Sequence, residues 1–399
     1  MRRIQKLLIV CCITCSFVWM FTPATAQQAD DTVSLSFWHP YTDERQVALE
    51  ALVAEFNAAH QGEISVQAVS FTNSGLLYDQ MLLQLQNPLS LPNVILAWPY
   101  EVAVFDLADA MVDLAAYTDA PYPQGTNLLT SQLLGIPDRA YYPAFIVNID
   151  ALHSMEVDNP PTTLDELQML ACQFRQAGGW SGGKFGVAWG YQFPLDAEVW
   201  LGLLSSQPER LFTDTTLQLN TPTAYQTIQS LLDAQAAGCM TPVTLSTDAI
   251  VPFAEGRALF YLGSSSSVDL VRQTIAATFA TPFEIGVYPL WGDAVVTYGP
   301  VLSMVNHDDN TNAAAWTFID WWQQPAQHQR WLTTTNTPPI PANWNTLPLP
   351  AWAGYDVARL QIRFTLQQLL AGTLSIEDGL ADLQANMDQI FNDFAKETD

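Results

Sequence analysis

An α/β fold is what this sequence predicts, and three observations carry the prediction. Strands and amphipathic helices open the chain in the order βαβαβ. The run Val94-Ile95-Leu96-Ala97 is apolar at every position, as a strand covered on both faces is, and helix-start signals recur through the middle and end of the chain.

The first strand runs from Val33 to His39, where Val33, Leu35 and Phe37 alternate with other residues and present one buried face. Leu49, Leu52, Val53 and Phe56 then recur at i, i+3, i+4 and i+7, the apolar stripe of a helix lying on a sheet. Ile64, Val66 and Ala68 alternate again, helical residues follow over Leu76 to Leu85, and the run Val94 to Ala97 completes the unit. In the middle region Thr163, with Glu166 three residues later, is a capping-box signature that starts a helix near Leu164. Lys184 to Trp189, Ala258 to Leu262 and Glu284 to Tyr288 read as strands. Ser375 with Asp378 offers a second cap, and Leu380, Leu383, Met387, Ile390 and Phe391 line one face of a C-terminal helix.

Ahead of the first strand, Arg2, Arg3 and Lys6 precede an apolar run from Leu7 to Phe21, and Ala24-Thr25-Ala26 supplies the small residues that a signal peptidase needs. The apolar core is about 15 residues, shorter than the roughly 20 that span a bilayer, so a signal peptide cleaved after Ala26 is expected rather than a retained anchor. Cys11, Cys12 and Cys15 lie inside that core without the small preceding residue of a lipidation site. Cleavage would remove three of the 14 basic residues and none of the 40 acidic ones, leaving 11 against 40 and a formal charge of −29. A field of that sign repels phosphate backbones and anionic lipid, which argues against a nucleic-acid partner. The acidic residues are scattered, as on a hydrated surface. Only Cys172 and Cys239 remain after cleavage, a disulfide candidate in an oxidising compartment that would add about 4 kcal/mol in the chain-entropy model; two buried thiols are the alternative. A chain this long predicts two domains, and the absence of a Ser/Gly linker suggests domains that share several crossings.

The order of motifs resembles the extracellular solute-binding proteins, family 1, of the carbohydrate ABC importers, the maltose-binding-protein-like family. The resemblance rests on Trp38-His39 and Glu55-Phe56-Asn57, on Asn93 to Trp98, on Gly135-Ile136-Pro137 and Ile146 to Leu152, and on Pro161 to Leu167, Phe253 to Ala258 and Pro339-Ile340-Pro341. It spans nearly the whole mature chain. It implies a two-lobed, type II periplasmic-binding-protein-like fold, each lobe a mixed β-sheet flanked by helices, with a hinge between them. Lobe 1 would take residues 27–140 and 290–345, lobe 2 residues 141–289 and 346–399.

A sugar offers hydroxyls at its edges and C–H patches on its faces, so its site needs flat aromatic platforms beside convergent polar groups. Trp38 and Trp98 stand at the ends of predicted strands, where open α/β sheets bind ligands, and Trp189 and Trp291 end strands in the middle region. Carried over by the resemblance, the cleft would be lined by Trp38, His39, Trp98, Glu101, Tyr142, Trp189, Trp200, Ser265, Trp291 and Tyr298. Trp316, Trp321, Trp322 and Trp331 sit in a helical stretch and read as structural. The implied function is a monomeric, non-enzymatic receptor that delivers a mono- or oligosaccharide to the transmembrane subunits of an ABC permease, with no cofactor. A secreted glycoside hydrolase is the rival from another class; a binding protein for glycerol phosphate or another anionic solute is the rival within it, with Arg139, Arg257 and Arg363 the candidate clamps.

Sharper chemistries fail on spacing. Gly178 to Lys184 begins like a phosphate-binding loop, but Phe185 replaces the required Ser or Thr, and helix precedes it where strand should. His39, His60, His153, His307 and His328 show no zinc spacing, and no Gly-x-Ser-x-Gly turn occurs.

Overall fold

The computed structural model describes residues 32–87, 90–184, 186–205, 211, 217–292, 294–341 and 343–396; the export signal and Phe185 lie outside them. The strands are β1 (Val33–His39), β2 (Ile64–Ser70), β3 (Val94–Ala97), β4 (Ile136–Pro137), β5 (Pro143–Asn148), β6 (Trp189–Pro194), β7 (Met240–Val243), β8 (Ala258–Ser264), β9 (Ile285–Pro289), β10 (Val295–Thr297), β11 (Val301–Met304) and β12 (Thr346–Pro348). They form two five-stranded sheets with one shared plan. The first runs β2-β1-β3-β11-β4 and the second β7-β6-β8-β5-β9. In each, three parallel strands are followed by two that are successively antiparallel.

Both sheets are covered on both faces, which is why their central strands carry apolar residues on successive positions. On the first, Phe37 packs with Phe56, Phe318 and Trp322 on one side, while Trp38, Ile95 and Phe105 belong to the core on the other. Trp331 joins the former, and Trp316 and Trp321 pack against it, so this tryptophan group is structural as its sequence context predicts. On the second sheet Phe145, Phe193 and Trp200 lie in a core completed by Trp352 and by Ile362 and Phe391 from the last two helices, and Ile146, Phe253 and Tyr261 fill the opposite face.

Local signals hold closely. The Thr163 side chain accepts from the backbone N–H of Glu166 at 3.1 Å, starting the helix Leu164–Gln176. The Glu166 carboxylate reaches back one residue further than a capping box requires, accepting from the Thr162 N–H at 2.7 Å. Ser375 caps the helix Ile376–Ala395, whose buried stripe is Leu380, Leu383, Met387 and Phe391. Cys172 and Cys239 are bonded, with Cα atoms 4.7 Å apart, tying that first helix to the start of β7. One strand is displaced: of the expected Lys184 to Trp189, Lys184 and residues 186–188 are not strand, and β6 begins at Trp189, where that strand was to end.

The chain passes between the sheets three times. Residues 138–142 lead from β4 to β5, and residues 290–300 lead from β9 back to β11. A third pass joins the helix Pro325–Thr334, beside the first sheet, to the helix Tyr355–Leu370, beside the second. Where they pass, Tyr141 and Tyr298 exchange backbone hydrogen bonds of 2.6 and 3.0 Å, and β10 pairs with β12. Three adjacent crossings make a joint with few bonds to deform.

Candidate functional site

The C-terminal ends of β1 and β3 and the crossings at Tyr141 and Tyr298 face residues from the second sheet across a cleft. Its two ends have different chemistry.

At one end a cavity of about 530 Å³ is lined by Arg45, Arg139 and Tyr141 from the first sheet and the crossing, and by Ser265, Ser266 and Asp269 from the second. Arg139 is fixed from several sides. Its Nε donates to Asp138 at 3.0 Å in a fully buried pair, its guanidinium lies over the rings of Trp331 (4.7 Å) and Tyr41 (5.1 Å), and Nη1 donates to the Tyr141 hydroxyl at 3.3 Å. Asp138 is itself held by the Trp322 indole N–H at 3.2 Å. Arg45 forms a bidentate pair with Asp43 at the start of the helix Glu44–Ala59, Nη2 to Oδ2 at 2.6 Å. Each arginine therefore has its own carboxylate.

The other end is aromatic and acidic. Pro99 at the first position of the helix Pro99–Asp106 fixes the turn after β3, and the Trp98 backbone N–H donates to the Glu101 carboxylate at 2.9 Å. Trp98 and Tyr100 lie nearly parallel, 6.3 Å apart with a 12° angle between rings. Tyr100 meets Tyr355 at 5.8 Å, and the Arg359 guanidinium, paired with Asp356 at 2.7 Å, covers Tyr100 at 5.2 Å. The Tyr355 hydroxyl donates to Glu198 at 3.0 Å. Asp196 caps the helix Ala197–Leu204, its side chain accepting from the Val199 N–H at 3.1 Å. Trp98, Tyr100, Glu198, Tyr298 and Tyr355 enclose about 20 Å³, room for a water molecule and not for a sugar ring.

Burial sets the protonation of this end. It raises Glu101 to about 8 against the opposing pull of the Trp98 N–H and Arg359, and it raises Glu198 with help from Asp196. At the first end burial lowers His39 to about 4, so that ring is neutral at ordinary pH.

A profile for the bacterial extracellular solute-binding proteins matches residues 51–354, three quarters of the chain. The chain belongs to this family. A sequence relative is the sn-glycerol-3-phosphate-binding periplasmic protein UgpB of Pectobacterium atrosepticum, 23% identical over 79% of this chain and 74% of the relative. Among solved structures, the cyclic alpha-maltosyl-1,6-maltose binding protein of Arthrobacter globiformis superposes with a TM-score of 0.73 at 18% identity, covering 91% of this chain and all of that one. UgpB of Mycobacterium tuberculosis, solved with glycerophosphocholine, gives 0.69 at 15% identity, covering 90% and 99%. These establish the two-lobed fold of the family. No helix among the described residues is long and apolar enough to cross a membrane.

Of the site residues expected from the sequence of this solute-binding protein, the structure gathers Trp98, Glu101 and Tyr298 at the aromatic end and Ser265 at the arginine end. The others lie elsewhere. Trp38 packs on Phe71 in the core at 4.9 Å, and His39 is fully buried behind Tyr41. Tyr142 meets Trp344 at 5.1 Å and lines a neighbouring cavity of about 520 Å³ that shares Asp269, Asn336 and Thr337 with the arginine end. Trp189 opens β6 instead of closing a strand, which leaves it under Arg175 at the far end of the sheet. Trp200 is fully buried core. Trp291 donates its indole N–H to the Pro161 carbonyl at 2.9 Å and lines a different cavity. Sequence reasoning did not single out Tyr100, Glu198, Tyr355 and Arg359 as site residues.

Proposed function

We propose that this solute-binding protein captures a mono- or oligosaccharide in the cleft and delivers it to the transmembrane subunits of an ABC permease, as a non-enzymatic monomer exported by a signal peptide cleaved after Ala26. The lobes are residues 27–140 with 290–345 and residues 141–289 with 346–399, each built around one sheet. The observation that carries the reading is the aromatic end. Trp98 and Tyr100 from the first lobe and Tyr355 from the second bring ring faces together beside the carboxylates of Glu101 and Glu198, the pairing of flat apolar surface and hydrogen-bond acceptors that a sugar needs. Because that space holds only a water, the ligand enters as the lobes part about the three crossings and is retained as they close, its contacts to both lobes favouring closure.

Two carboxylates beside a sugar also suit a hydrolase, but Glu101 is engaged by the Trp98 N–H and Glu198 by the Tyr355 hydroxyl, and the family to which the chain belongs is one of solute-binding proteins. A second reading, an anionic solute such as glycerol phosphate, is favoured by Arg45 and Arg139 at the other end and by the similarity to a glycerol-3-phosphate-binding relative. It ranks second because Asp43 and Asp138 already pair with those arginines. A thermal-shift screen over neutral and amino sugars, sugar alcohols and glycerol phosphates decides: a ligand that binds only the folded state raises the melting temperature by mass action. A shift with saccharides supports the first reading; a shift with glycerol phosphates alone replaces it with the second.

A further inference from the structure

The aromatic end holds carboxylates that have no ion-pair partner on the chain. Glu198 lines its cavity, Glu101 accepts from the Trp98 N–H beside it and Asp196 caps the helix that carries Glu198, and none of the ion pairs among the described residues includes any of the three. The nearby Arg359 is paired with Asp356. Asp196, the cap of the helix that carries Glu198, opposes ionisation of Glu198, and the Tyr355 hydroxyl provides Glu198 with one neutral donor at 3.0 Å. Neighbouring carboxylates ionise together more readily with a counter-charge beside them, and hydroxyls of a neutral ligand bring none.

The rings supply a second, independent observation. The electron-rich faces of Trp98, Tyr100 and Tyr355 meet around the same small cavity, and one of them already carries a cation: the Arg359 guanidinium, 5.2 Å from the centre of Tyr100. Aromatic faces beside carboxylates are a recurring arrangement for holding an organic ammonium.

We propose that the ligand bears a positively charged nitrogen, as an amino sugar does, and that this nitrogen sits among Trp98, Tyr100 and Tyr355 with Glu198 and Asp196 as its counter-ions, taking the place that Arg359 holds over Tyr100 in the unliganded protein. This rests on the saccharide reading of the cleft and names the class of saccharide.

The test is calorimetric titration of the mature protein with matched pairs: glucosamine against glucose and N-acetylglucosamine, and the β-1,4 oligomers of glucosamine against their N-acetylated twins, with choline as a cation that is no sugar, all at a pH where the amine is protonated. The expected result is binding of the amine at least tenfold tighter than its neutral twin. That preference disappears in Glu198→Gln. It also falls in Asp196→Asn, which keeps the helix cap and guards against a folding defect in the first variant. Equal or tighter binding of the neutral twins overturns the charged-ligand inference and leaves the saccharide reading standing. Binding of choline with no saccharide of either kind supports the cation site and removes the sugar. Binding of none of these overturns both.

Discussion

At the arginine end of the cleft both arginines meet a counter-charge on the chain, Arg139 on Asp138 in a buried pair and Arg45 on Asp43 in an exposed one, whereas at the aromatic end Glu101 and Glu198 are held without an ion-pair partner. The first end is a clasp. It joins the crossing at residues 138–142 to Tyr41 and Trp331 of the first lobe. The second is incomplete as it stands, because its acceptors and ring faces outnumber their partners. In a protein that works by binding a solute, the unmatched end is where differential affinity can arise, and the matched end is what keeps the hinge in register while it does.

The largest effect should come from unmatching the clasp. Asp138→Ala leaves the Arg139 guanidinium buried without its carboxylate, and unfolding in denaturant should show a loss of about 3–5 kcal/mol. Glu198→Gln, which removes an uncompensated carboxylate at the other end, should change stability by no more than about 1 kcal/mol. Equal losses in the two variants would mean that both ends are structural and that the contrast between them is wrong.

A pair of tryptophans sharpens the same contrast. Trp38 ends its strand inside the core against Phe71, so Trp38→Ala should cost about 3–5 kcal/mol whether or not ligand is present. Trp98 is only partly buried at the cleft, so Trp98→Ala should leave most of the stability intact and abolish the ligand-induced rise in melting temperature. The check is one melting curve per variant with and without ligand, and a ligand shift retained in Trp98→Ala would detach the aromatic end from binding.

The α/β class and the order of the first three strands were legible because alternation and a fully apolar run are properties of neighbouring residues, and so were the two capped helices. The displaced strand shows where that reading ends. β6 contains Gly190 and Pro194, neither a strand former, and Gly190 is there because a Cβ would come within 2.5 Å of the Ala171 side chain and the Cys239 carbonyl, the two segments that the disulfide draws together. A packing requirement set by residues far along the chain thus disguised the strand and put Trp189 at the wrong end of it. Where Tyr141 and Tyr142 each point was not legible for a related reason: β5 is buried at all six positions and gives no alternation from which to infer which face the preceding residue takes. The meeting of Tyr100, Glu198, Tyr355 and Arg359 comes from three separate elements, and nothing local in any of them announces it.

The pH dependence of stability treats the two ends as mirror images. Glu101 has a folded-state value of about 8, raised from 4.5, so between those values the folded chain keeps a proton that the unfolded chain has released. Stability from this group is therefore lost as pH rises from about 4.5 to about 8, by up to about 1.4 kcal/mol per pH unit within that window. His39 is lowered from 6.5 to about 4, so across that interval the unfolded chain takes up a proton that the folded chain refuses, and stability rises with pH from about 4 to about 6.5. Other groups titrate over the same range, so each slope is read as a difference between wild type and a neutral variant. Relative to Glu101→Gln the wild type should weaken as pH climbs through its window, and relative to His39→Gln it should strengthen through the lower one. Equilibrium unfolding at half-unit steps from pH 4 to 8 measures both. Two slopes of the same sign would show that the two ends do not differ in this way.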